Sequence, residues 1–152
     1  GSYSVRLITG GRTFTQPLTV VLDPRVKTSA VAMKQIATLS REMYDDAATL
    51  HAAYGVARTM SDHPGNASDA ALKPEIDSIA PPGSRAARRG FGANQPATAP
   101  TLQSVQTALL GAAMSLQDAD VAPTARQLDA IEKARAQYKA VMLRWSRMSG
   151  KR

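Results

Sequence analysis

The chain changes its hydrophobic period once, at Asp23-Pro24-Arg25, and that junction limits what it can fold into. Before it, residues 3–9 and 13–22 alternate apolar and polar positions, the period of a half-buried strand. After Thr28 almost every patterned stretch follows the helical period, and the remainder reads as loop. Two strands cannot bury a face alone, because an isolated hairpin is marginal in water. The expected architecture is therefore mainly α: an elongated antiparallel three-helix bundle, extended to four by a short helix, preceded by a β-hairpin. Residues 1–25 read as the end of a truncated β-sandwich, and residues 26–152 as the bundle. The chain is thus expected to be a C-terminal piece of something larger.

In the opening segment Tyr3, Val5 and Leu7 alternate with Ser4 and Arg6, and Leu18, Val20 and Leu22 resume the alternation. Gly10-Gly11 supplies a turn that tolerates positive φ. Pro17 has no amide proton to give to a ladder, so the second strand is expected to lie at an edge or to be irregular there. Pro24 ends it.

Helix patterning is strongest from Ser29 to about Met60, where Thr28 or Ser29 can cap the first amides. Positions 29, 33, 36, 40, 43, 47, 50, 54 and 57 step by three and four, a near-heptad seam suited to small crossing angles. Pro64-Gly65 stops it. Residues 67–79 allow a short helix capped by Ser68, with Pro74 expected to kink or break it outside the first turn. The Pro- and Gly-rich stretch at about 80–100 reads as a long irregular loop. Two further helices follow, from Pro100-Thr101 to about Ala119 and from Pro123-Thr124 onward. The second carries a capping-box spacing from Thr124 to Gln127. The short 119–123 connection makes these two antiparallel neighbours.

Charge and composition exclude some chemistry. The net charge is +7, and residues 124–152 hold eight basic side chains against Asp129 and Glu132. A basic last helix can meet an anionic polymer, or it can be a solvated face with cations near a C-terminus. Nucleic acid is not the expected partner. With no cysteine, disulfides and thiolate chemistry are closed to it. No apolar run reaches the ~20 residues that span a bilayer, and Gly1-Ser2-Tyr3 opens no signal peptide.

No catalytic, cofactor or metal constellation emerges. His51 and His63 stand twelve apart without ligand partners at metal spacing. Glu42, Asp45 and Asp46 share a helical stretch but do not face one another across a cleft. Trp145 and Tyr138 read as core anchors, and the six methionines as packing fillers. Arg85, Arg88 and Arg89 beside Phe91 form a basic loop with a single aromatic, able to touch phosphates or simply to be solvated.

The opening Gly1-Ser2-Tyr3-Ser4-Val5-Arg6-Leu7, with Gln16-Pro17-Leu18-Thr19-Val20 and Asp23-Pro24-Arg25, resembles the C-terminal region of large bacterial secreted proteins with BNR repeats, of the sialidase and sortilin-like propeller kind. In that family such a hairpin closes a small β-sandwich after the propeller, and a helical segment follows. Asp118-Ala119-Asp120-Val121-Ala122-Pro123-Thr124, Gln127-Leu128 and Arg144-Trp145 extend the resemblance, while 62–100 has no counterpart. The Asp-box repeats are absent, so no functional residue carries over. The resemblance implies a secreted or periplasmic parent of glycosyl-hydrolase type.

The first expectation is a non-catalytic structural or spacer module partnered by an upstream β domain. The second is an interaction or homo-oligomerisation module using the helix 1 seam, with Met43, Leu50 and Tyr54 as contact residues. The third is anionic-polymer binding through the last helix and Arg85, Arg88 and Arg89. No cofactor is expected.

Overall fold

A computed structural model describes residues 1–83 and 99–150. The chain runs β1 (Ser2–Thr9), β2 (Arg12–Thr19), α1 (Ala30–Asp62), α2 (Ala67–Ile79), α3 (Leu102–Gln117) and α4 (Ala125–Ser149). A helical bundle follows a short antiparallel hairpin, as the change of period predicts.

The hairpin turns on Gly10 and Gly11, whose φ values of 54° and 74° are both left-handed. Adjacent left-handed residues match the twist of a two-residue hairpin, and glycine reaches them without steric cost. The terminal rung is bonded in both directions: Val20 N–H donates to Gly1 O at 2.8 Å, and the Gly1 amine donates to Val20 O. Rungs alternate in an antiparallel ladder, so Tyr3/Leu18, Val5/Gln16, Leu7/Phe14 and Thr9/Arg12 are the bonded ones in this register. Ser4/Pro17 then falls on a non-bonded rung. Proline is tolerated inside β2 because its nitrogen faces outward. Strand β2 ends at Thr19 rather than continuing to Leu22, although Val20 still bonds Gly1.

Helix α1 is capped by Ser29, whose side chain accepts from Ala32 N. Its seam is the spine of the core: Met43, Ala47, Leu50, Ala57 and Met60 are buried. Helix α3 contributes Leu102, Val105, Leu109 and Leu116, and α4 contributes Ile131, Val141, Trp145 and Met148. These side chains form one cluster. The Thr28 hydroxyl donates to Asp120 O beyond the end of α3, and Arg144 of α4 donates to Pro100 O before its start. Helix α3 therefore runs antiparallel to both α1 and α4. Both α3 and α4 begin with a complete capping box, Thr101 with Ser104 and Thr124 with Gln127.

Helix α2 folds back along the second half of α1. Asn66, not Ser68, caps it. It continues through Pro74 although proline removes one helical donor. The loss of order of ~3 kcal/mol for an internal proline is opposed by burial of Ile76 and Ile79 at 0% exposure and by a polar lock. In that lock Asp77 accepts from Arg58 at 2.6 Å and Ser61 at 2.7 Å, and Lys73 Nζ lies 3.3 Å from it. Arg58 also donates to Ala80 O and pairs with Asp62.

Candidate functional site

The seam residues expected to receive a partner are not at the surface. Met43 and Leu50 are 0% exposed, and Tyr54 is half-buried with its hydroxyl donating to Pro81 O at 2.9 Å. The reason is that α3 and α2 both lie on the α1 seam. The expectation of an open seam is corrected at Met43, Leu50 and Tyr54, which the chain covers itself. Arg85, Arg88 and Arg89 lie outside the described residues.

Three cations of the basic last helix have separate partners. Arg135 pairs with Glu42 of α1, Lys133 with Asp129 at 2.8 Å, and Arg144 with Pro100 O and the Ser78 hydroxyl. His51 is exposed on the flank of α1, and His63 is the C-cap residue of the same helix. Among the described residues no group of three His, Asp or Glu side chains gathers as a metal site. No described helix is long and apolar enough to cross a membrane.

Two clusters of carboxylates and their partners have shifted protonation, and both join helices. The Ser61 hydroxyl and the Arg58 guanidinium hold the Asp77 carboxyl down at about 2. Burial between α1 and α4 pushes the Asp46 carboxyl up, against a hydrogen bond from Tyr138.

Among the described residues two apolar surfaces stand uncovered. The first is one face of the hairpin. Paired residues share a face, so Tyr3, Val5, Leu7, Phe14 and Leu18 stand together on one side. They are 47–60% exposed, and every residue from Gly1 to Arg25 is exposed. Ser2, Ser4, Arg6 and Ile8 occupy the other side with Thr13, Thr15, Pro17 and Thr19.

The second surface is a groove of about 760 Å³ between α1 and α3. Ala37, Ser40 and Ala113 lie along it, and Met33, Tyr44 and Met114 flank it. Tyr44 and Met114 are 64% and 67% exposed. A smaller depression lined by Ala48, His51 and Gln106 shares Tyr44 and Leu110 with it, so the groove continues along α1. Met33 and Ser40 are seam positions of α1, whereas Ala37, Tyr44 and Met114 sit one position off the dominant stripes and were passed over in the sequence. The available signal was a second stripe on α3, Leu110 and Met114, beside the core stripe of Leu109, Ala112 and Leu116.

Comparison with protein-family models, with curated proteins and with solved structures finds no match for this chain.

Proposed function

We propose that the chain is a non-catalytic structural module, in which the hairpin contributes two strands to a larger sheet and the bundle serves as a rigid spacer beside it. The observation that carries this reading is the bare apolar face of the hairpin. An apolar face of five clustered side chains on a two-stranded ladder lacks the burial that stabilises a sheet, and no described helix supplies it.

The edges differ in what they offer a neighbour. Outward-facing groups of β2 belong to Thr13, Thr15, Pro17 and Thr19, and Pro17 lacks a donor. Outward-facing groups of β1 belong to Ser2, Ser4, Arg6 and Ile8, each with its N–H. A further strand therefore joins on the β1 side, where the row of donors is complete. A secreted bacterial BNR-repeat parent with an upstream β domain is the setting we propose.

Amide hydrogen exchange on the chain joined to the residues that precede it in its parent tests this. The amides of Ser2, Ser4, Arg6 and Ile8 should become strongly protected in the longer protein and exchange fast in the 152-residue chain. Equal, fast exchange in both would overturn the reading.

A further inference from the structure

We infer that the α1/α3 groove is the contact surface of an antiparallel homodimer, in which α1 of one copy lies against α1 of a second. The inference is independent of the hairpin and its proposed sheet.

Two observations lead to it. The groove runs along α1 from Met33 to His51, about 27 Å at the helical rise. That is the length of a helix rather than of a small molecule. Its lining is mostly apolar, with the small residues Ala37 and Ala113 beside Ile36 and Leu110, a surface that another helix can approach.

Charge decides which helix. Arg41 and Asp45 both line the groove, one turn apart, and neither has an ion pair among the described residues. An incoming helix complementary to them carries an acid and a base one turn apart in the opposite order. An α1 from a second copy, antiparallel and centred at the level of Met43, presents that order. Each Arg41 then faces the other copy's Asp45, twice over. A parallel copy would set Arg41 against Arg41, which repels. Near the two-fold axis lies Tyr44, and Met114 flanks the contact from α3, so the large exposed apolar side chains of this face are covered by the same contact. An isologous two-fold contact of this kind closes as a dimer rather than a filament.

Sedimentation equilibrium of the 152-residue chain from micromolar to millimolar concentration tests the inference. The mass should rise from one chain toward two and stop there. Met114→Glu places a charge in the contact at an exposed position that the fold tolerates, and should leave a monomer throughout. Arg41→Asp should weaken association on the order of tenfold by setting like charges together. The double change Arg41→Asp with Asp45→Arg reverses both signs and should restore it. A constant monomer mass overturns the inference. So does a dimer that survives Met114→Glu, a double variant no tighter than the single one, or association lost on Phe14→Lys in the hairpin.

Discussion

Leu7 and Leu50 hold equivalent places in their own patterns. Leu7 stands in the middle of the apolar face of a hairpin with good turn glycines and a regular ladder. Leu50 stands on the seam of a capped helix. One is 60% exposed and the other 0%. The difference does not lie in local propensity, since both segments form the element their period specifies. It lies in whether the chain carries a second surface of matching period. The seam of α1 meets stripes on α2, α3 and α4, each with the same helical spacing. The hairpin's face has period two, and no other part of the described chain repeats that period. Local pattern decides the element, and only a complementary pattern elsewhere decides burial.

The largest expected effect follows from Leu50. Truncation to alanine removes buried methyl groups and leaves a cavity between α1 and its neighbours, so Leu50→Ala should lower stability by about 2–5 kcal/mol. Chemical denaturation followed by helical circular dichroism measures it. A loss below ~1 kcal/mol would mean that the core collapses readily around the gap, and the contrast with the hairpin would weaken.

A smaller effect is expected where α2 is tied to α1. Asp77→Asn removes the charge that Arg58, Ser61 and Lys73 surround, and should cost about 1–3 kcal/mol. The same site sets an acid limit. Its folded carboxyl titrates at about 2, below the ~3.9 of an unfolded aspartate. A depressed folded value contributes stability that is complete above the unfolded value and is lost as pH falls through it toward the folded one. Stability of the natural chain should therefore decline between about pH 5 and pH 2, and Asp77→Asn should flatten that decline. Equal slopes for the two proteins would place the acid sensitivity elsewhere.

Much of this fold was legible in the sequence. The α1 seam, the capping box at Thr124 and the turn at Gly10-Gly11 each announce themselves by short-range pattern, and short-range pattern is what a sequence displays most directly. Two features escaped it. Helix α2 survives Pro74 because of Asp77, Arg58 and Ser61, a three-residue lock whose members are brought together only by the fold. The surface of α1 was misjudged for a related reason. Periodicity places Met43, Leu50 and Tyr54 on one stripe but is silent on how many helices will cover that stripe. Here α2 joins α3 over its second half, and the open surface lies on the first half, at Met33 and Ser40 with their neighbours Ala37, Arg41 and Tyr44.

The smallest expected effect is the most direct check of the contrast between the two regions. Leu7→Ala should change the stability of the helices by less than about 0.5 kcal/mol, the range of surface changes that touch no packed group. Leucine at this site loses little water on folding of the 152-residue chain, so removing it forfeits little transfer free energy. The same substitution in a chain joined to a covering β domain should behave like a core truncation, because the side chain would then be buried. Denaturation of both forms separates the cases. A cost above ~1 kcal/mol in the 152-residue chain would mean that the hairpin draws support from the bundle after all. Its apolar face would then belong to this domain's own core, and the period-two segment would not be waiting for a partner of its own kind.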